Sequence, residues 1–378
     1  MKDSIGLYIH IPFCKSKCKY CDFNSFPGKE ALIEPYLDAL KKELSGSSDL
    51  LRDKTVTSVF VGGGTPSLID AKNIYELMNT CRLYFNIDGK AEMTIESNPG
   101  TLSYEKLMAY RMSGINRLSI GLQACQDALL SKLGRIHTAE EFNLNYEAAV
   151  KAGFKNINAD VMFGLPGQNI NDWQETIKHA AKLGLRHISC YSLKFEEGTP
   201  FYEMLQSGEL QPVDEELDRR MYWYAADELK RQGYVHYEIS NFALPGFECR
   251  HNLVYWKARE YLGAGAGAHS YINGSRYNNI YGIEEYIKKI SSNTSCKENI
   301  ERIDRTEAMS EFMILGLRLI DGISVPEFKE RFDEDIFSIY GKQLEKLLKK
   351  QLLEQEGDKL RLSPYGLDIA NNVFVEFV

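Results

Sequence analysis

The chain has 378 residues, 44% hydrophobic and 26% charged, enough for one large domain and a smaller one, each with its own core. Its formal net charge of -8 argues against broad contact with nucleic-acid phosphates or anionic lipid, which needs clustered Lys and Arg. No apolar run is long and uncharged enough to cross a membrane, and the opening MKDSIGLYIHIPF lacks the apolar stretch of a secretory signal, so a cytoplasmic chain with reduced thiols is expected.

In chain order, short β-type runs alternate with helix-type stretches. The first run, Ile5 to Ile11, ends at a cysteine cluster and is followed by a helical stretch from Glu30 to Leu44. A second run, Thr55 to Val61, stops at three glycines, and a helix from Asp70 to Tyr84 leads to a third run, Ala91 to Glu96. Further runs cover Arg117 to Gly121, Asn156 to Phe163 and His187 to Leu193, separated by helices that include Glu140 to Ala152 and Asn171 to Leu183. Such alternation implies right-handed crossovers and a parallel sheet. Six units are too few for a closed eight-unit barrel, so the expected fold class is α/β, an open (β/α)6 partial barrel over residues 1–200.

Beyond residue 200 the pattern changes. Asp214 to Gln232 reads as a long helix, and an irregular aromatic and glycine-rich stretch runs through Tyr281, so 201–300 is expected to cover the barrel. From Ile303 the chain is mostly helical, with Gly357-Asp358 at the centre of a short hairpin between Leu352 and Leu362. Residues 301–378 therefore read as a helical, winged-helix-like C-terminal domain.

Three of the eight cysteines fall within His10-Ile-Pro-Phe-Cys14-Lys-Ser-Lys-Cys18-Lys-Tyr-Cys21-Asp-Phe23, spaced Cys-x3-Cys-x2-Cys. Soft thiolates at this spacing suit one face of a four-iron four-sulfur (4Fe-4S) cluster. With three protein ligands one iron stays open, and the amino and carboxylate groups of S-adenosyl-L-methionine (SAM) fit it. The competing reading is a zinc site with His10 as fourth ligand. Phe23 is either an aromatic lid over the cluster or a packing residue.

Other candidates stand at the ends of the runs. The backbone of Gly62-Gly63-Gly64-Thr65 can approach a polar amino-acid head closely. Glu96 is placed to accept from an amino group, Gln123 and Asp160 to address ribose hydroxyls or the methionyl group, and Arg135 to meet a carboxylate; each alone is as well read as structural. Together they converge on the carboxyl ends of parallel strands, where barrel folds carry their sites.

The segments YIHIPFCKSKCKYCDF, FVGGGTPS, IESNPG, RLSIGLQAC, LGRIHT and NADVMFGLPGQ resemble those of radical SAM proteins related to oxygen-independent coproporphyrinogen III oxidase. The resemblance implies cluster ligation by Cys14, Cys18 and Cys21, and cofactor binding by Tyr8, Phe23, Gly63, Gly64, Thr65, Glu96, Gln123, Arg135 and Asp160.

Within that group the chain is most similar to the haem-chaperone branch. The oxidase branch carries a further cysteine where Phe23 stands, and an N-terminal extension where seven residues precede Tyr8. The segment Glu248-Cys-Arg-His251-Asn252-Leu-Val-Tyr255-Trp256 matches the chaperones' His-Asn-x-x-Tyr-Trp signature. That branch implies haem bound near His251, Asn252, Tyr255 and Trp256, with Cys249 a weaker axial candidate. The alternative is a packed corner that holds Gly263-Ala-Gly265-Ala-Gly267 in place.

The implied partners are haem, recipient membrane haemoproteins such as those of the respiratory chain, an electron donor of the flavodoxin or ferredoxin type and, in a cluster-dependent dimer, a second copy; nucleic acid is not among them. Enzymatic activity is left open. The alternative function is radical decarboxylation of coproporphyrinogen III, and a third is haem methylation or degradation.

Overall fold

The computed structural model describes residues 4–378. All six expected strands are present: β1 (Ser4–Ile11), β2 (Thr55–Gly63), β3 (Ile87–Ser97), β4 (Arg117–Gln123), β5 (Asn156–Phe163) and β6 (His187–Ser192). Each pairs in parallel with the next. The crossovers include helices Ile33–Gly46, Ala71–Tyr84, Tyr104–Met112, Ala139–Lys151 and Ile170–Lys182. The last two begin at capping boxes, Thr138 with Glu141 and Asn169 with Asp172, which satisfy the free amides of the first turn.

Strand alternation divides β1 cleanly. Leu7, Ile9 and Ile11 are fully buried in the main hydrophobic core with helical residues such as Leu40 and Leu77. Gly6, Tyr8 and His10 fall on the opposite face, which lines the barrel interior.

The glycine-rich stretch after residue 200 differs from the irregular covering segment expected. It supplies β7 (Val235–Glu238), β8 (Asn241–Ala243), β9 (Tyr261–Ala264), β10 (His269–Ile272), β11 (Ser275–Asn279) and β12 (Lys297–Arg302). The sheet runs β12-β11-β10-β9-β1-β2-β3-β4-β5-β6-β8-β7. β9 pairs in parallel with β1, while β8 and β10 start antiparallel extensions at the two edges. These strands are short and glycine-interrupted, so they carry little period-2 signal.

The C-terminal region has helices Arg305–Gly316, Val325–Phe332 and Ile336–Lys349, followed by the hairpin Leu353–Glu356 and Lys359–Leu362. Ile323–Ser324 adds a third strand to this wing. Met313, Phe328, Ile336 and Leu360 belong to a separate hydrophobic cluster. The joint to the barrel edge is made by backbone: the Ile320 amide donates to Tyr237 O at 3.1 Å, and the Ile239 amide to Arg318 O at 3.1 Å. Among the described residues no helix is long and apolar enough to cross a membrane.

Candidate functional site

The cysteine loop leaves β1 at the barrel's upper rim and is pinned to it by His10. His10 Nε2 lies 2.8 Å from Asn24 O, and its Nδ1 lies 2.9 Å from the Tyr8 hydroxyl. A carbonyl can only accept, so Nε2 carries the proton and Tyr8 donates to Nδ1. Burial lowers the His10 pKa to about 4, which keeps the ring neutral. His10 is therefore an anchor of the loop rather than a fourth metal ligand in this arrangement. Asn24 continues the anchor, donating to Ala266 O at 3.0 Å and Tyr281 O at 3.1 Å.

Two donors reach the cysteine sulfurs. Thr65 Oγ1 lies 3.5 Å from Cys14 Sγ, and Arg135 Nη1 lies 3.4 Å from Cys18 Sγ. Donors of this kind stabilise thiolate and tune a cluster's potential. Burial raises the Cys21 thiol pKa. Among the described residues no three His, Cys, Asp or Glu side chains are grouped to hold a single metal ion. Three thiolates of a cubane bind three different irons, so that spacing does not conflict with a cluster, whereas a shared zinc needs convergence. The donor set thus fits a 4Fe-4S cluster. Phe23 is 63% exposed, its carbonyl accepting from Lys17 Nζ at 3.0 Å.

The glycine run after β2 lies directly beneath the loop. The Gly64 amide donates to Ile11 O at 2.8 Å, and a Cβ on Gly64 would meet Phe13 O at 2.7 Å and Cys14 Sγ at 3.0 Å. Gly63 has φ +113°, and a Cβ there would meet the His10 ring at 2.4 Å. Both positions need the close backbone approach that only glycine allows.

Next to this run, Glu96 Oε2 accepts the Gly63 amide at 3.0 Å. Burial, and secondly the charge of Asp160, push the Glu96 carboxyl up to about 7. Asp160 itself accepts from Ser119 Oγ and Asn158 Nδ2, each at 2.9 Å. Arg135 Nη2 donates to Asn98 Oδ1 at 2.7 Å and Gly121 O at 3.1 Å, and Asn98 Nδ2 donates to Thr65 Oγ1 at 2.9 Å. Gln123 stands at the end of β4 with φ 67°, and its side-chain amide lies within 2.8 Å of where a Gly121 Cβ would be. The predicted cofactor residues therefore share the rim around the cysteine loop. Asn98, which bridges Arg135 to Thr65, went unassigned in the sequence; its only signal is its place in the IESNPG segment.

The His-Asn-x-x-Tyr-Trp segment forms helix Arg250–Trp256, which plugs the opposite end of the barrel. His251 is 1% exposed. Its Nδ1 lies 2.9 Å from Ser58 Oγ, its Nε2 2.9 Å from the Tyr255 hydroxyl, and its ring stacks on Phe60 at 5.2 Å. Burial first, and the Arg117 charge second, lower its pKa to about 3. Cys249 is also fully buried, its Sγ 3.5 Å from Glu92 Oε1. Both residues were sequence candidates for haem contact, and both face the polar barrel floor; neither His251 ring nitrogen is free.

A hydrogen-bonded chain links this floor to the rim. Asn158 bonds Asp160 with its amide nitrogen and, with its amide oxygen, His187 Nδ1 at 2.7 Å. His187 Nε2 lies 2.9 Å from the Tyr237 hydroxyl, which accepts the Cys249 amide at 3.3 Å. Tyr255 and Trp256 are partly exposed, on opposite sides of the plug, against pockets of about 270 and 370 Å³. Asn252, one residue after His251, is partly exposed.

Residues 8–180 match the model of the Radical SAM superfamily, and residues 303–369 that of the HemN C-terminal domain. A heme chaperone HemW of Lactococcus lactis is 35% identical over 371 residues, covering 98% of this chain and 96% of that protein. A heme chaperone HemW of Bacillus subtilis is 36% identical over 372 residues, covering 98% of each. Among solved structures, coproporphyrinogen III oxidase (HemN) from Escherichia coli superposes with a TM-score of 0.86 at 22% identity, over 100% of this chain and 90% of that one, a likeness of fold. A rim that fits cluster and SAM and near full-length identity above 30% lead to one assignment: the chain belongs to the radical SAM superfamily, in the family of the heme chaperones HemW.

Proposed function

We propose that this chain binds haem and passes it to membrane haemoproteins, those of the respiratory chain among them, with a SAM-coordinated 4Fe-4S cluster at the barrel rim. The observation that carries the reading is the identity to heme chaperones along 98% of the chain, against a fold-level likeness to the oxidase. Cys14, Cys18 and Cys21 would hold the cluster, and Gly63, Gly64, Glu96 and Arg135 would surround the SAM on its open iron. When bound and reduced by a flavodoxin- or ferredoxin-type donor, the cluster supplies the electron for reductive SAM cleavage.

The chain's own groups prepare that site. His10 and Asn24 fix the loop, Thr65 and Arg135 donate to two sulfurs, and Glu96 accepts at an amino group when ionised. The same equipment supports the second reading, oxidative decarboxylation of coproporphyrinogen III, because a radical enzyme would need all of it.

The test is anaerobic reconstitution of the cluster, followed by SAM and reductant, with coproporphyrinogen III and haem supplied in separate assays. Stoichiometric haem binding without porphyrinogen turnover is expected. Formation of protoporphyrinogen IX would replace this reading with the oxidase one. A further measurement, haem transfer to an apo-haemoprotein in membranes, checks the delivery step.

A further inference from the structure

Interiors of parallel-strand barrels are ordinarily filled by Val, Ile and Leu. One rung of this barrel is polar instead. Ser119 on β4, Asn158 on β5 and His187 on β6 stand side by side in register, all three buried. The next rung toward the rim carries Gly121, Asp160 and Ser189. Polar groups at these positions cost desolvation that an apolar rung would avoid, and what they hold in return is Asp160.

The hydrogens of this network can be placed one by one. The Asp160 carboxylate accepts at Oδ2 from Ser119 Oγ, 2.9 Å away, which uses the only proton of that hydroxyl. Ser119 Oγ must then accept from Asn158 Nδ2 at 2.7 Å, and the second amide hydrogen goes to Asp160 Oδ1 at 2.9 Å. With its nitrogen so committed, Asn158 turns its oxygen to His187 Nδ1 at 2.7 Å, which therefore carries the imidazole proton. Ser189 Oγ donates to the same oxygen at 3.2 Å. Burial first, and the Arg117 charge second, hold the His187 pKa well below its ordinary value, so the ring is neutral and Nε2 is bare. The Tyr237 hydroxyl donates to Nε2 at 2.9 Å and accepts the Cys249 amide at 3.3 Å. Every donor in the line points toward Asp160, and turning the Asn158 amide over would set acceptors face to face.

Asp160 is where the line meets the open barrel. It is partly exposed, and its β4 neighbour Gly121 brings no side chain; a Cβ there would meet the ends of Arg135 and Gln123 instead. A carboxylate offers about four acceptor positions, so those not used by Ser119 and Asn158 are left for a ligand. On the SAM-site reading above, we propose that His187, one rung below the rim, is a positioning residue for SAM: it locks the Asn158 amide in one orientation, and Asn158 with Ser119 holds the Asp160 carboxylate ready for donors of the ligand such as ribose hydroxyls.

The experiment measures SAM affinity of the reconstituted full-length protein by equilibrium dialysis, for wild type, His187→Asn, His187→Gln and Tyr237→Phe. His187→Asn puts an amide nitrogen where Nδ1 stands and keeps the donor to Asn158, whereas His187→Gln reaches the Nε2 position and loses that donor. His187→Gln should weaken SAM binding on the order of tenfold, the value of one hydrogen bond in a charged network, and His187→Asn should stay within about twofold of wild type. Tyr237→Phe leaves the imidazole free to take either tautomer and should cost about threefold. Cluster content and thermal unfolding are followed alongside, because a role in packing alone lowers stability in both His187 variants without separating their SAM affinities. Equal affinity of wild type and His187→Gln, or equal losses in the two His187 variants, overturns the positioning role. If His187→Gln fails to hold its cluster, Tyr237→Phe decides, and wild-type affinity there overturns the proposal. Absence of saturable SAM binding by wild type overturns the SAM-site reading itself.

Discussion

Ser58 Oγ and His251 Nδ1 lie 2.9 Å apart, which ties a helix near residue 250 to the second strand of the barrel from the inside. With Tyr255 on its other nitrogen, the His251 imidazole completes the barrel floor as a neutral hydrogen-bonding block. Its removal leaves two hydroxyls and the Gly6 backbone facing a hole.

His251→Ala should therefore destabilise the protein by about 2–4 kcal/mol, the sum of a cavity and unpaired buried hydroxyls. Denaturant unfolding followed by circular dichroism measures it. Because both His251 ring nitrogens are already bonded inside the barrel, haem affinity of the folded variant should remain within about twofold of wild type. A large loss of affinity with an intact fold would return His251 to the role of haem ligand.

Gly63 combines φ +113° with the His10 ring at 2.4 Å from any added Cβ. Gly63→Ala should cost about 3 kcal/mol, since strain and displacement of a buried ring act together. It should also displace the His10 anchor, lowering iron and sulfide content after reconstitution, whereas Gly89→Ala, with open space around its Cβ, should change neither.

Arg135 donates to Cys18 Sγ at 3.4 Å, and the reduced cluster carries more negative charge on its sulfurs. Arg135→Leu removes that stabilisation from the reduced state. The midpoint potential should fall by tens of millivolts, given that hydrogen bonds to charged groups are worth about 1.5–3 kcal/mol and only part acts differentially. Redox titration monitored by electron paramagnetic resonance checks the direction.

Glu96 titrates near 7 in the folded protein, above its ordinary value of 4.5, because burial and Asp160 oppose its charge. The folded state thus holds a proton that the unfolded state has lost. Stability of the cofactor-free protein should fall as pH rises from 4.5 to 7 and stay lower beyond, by about 3 kcal/mol. Glu96→Gln should flatten this dependence in thermal unfolding. SAM affinity should move the opposite way, rising through pH 7 as an ionised acceptor forms, and that rise should be missing in Glu96→Gln.

Much of the barrel was legible from local pattern. Apolar β-branched runs such as Thr55 to Val61, closed by glycine, can only be buried strands, and the spacing of Cys14, Cys18 and Cys21 limits them to one small centre. The glycine run and the residues Glu96, Arg135 and Asp160 were readable because parallel strands deliver their carboxyl ends to one rim. What sequence could not rank was the role of each, since Glu96 as a surface carboxylate and Glu96 at about 7 are the same letter.

The tertiary structure alone decided the rest. Four-residue, glycine-broken strands such as Tyr261–Ala264 have no pattern of their own and exist because β1 offers a free edge for pairing. The direction of His251 depends on which helix face meets the lumen, a packing outcome of residues 193 positions apart. The stacking of Arg318 over the Trp256 ring at 4.4 Å likewise joins two segments that no local pattern brings together. Chemistry local to one segment was written in the sequence, while chemistry made by convergence of distant segments required the fold.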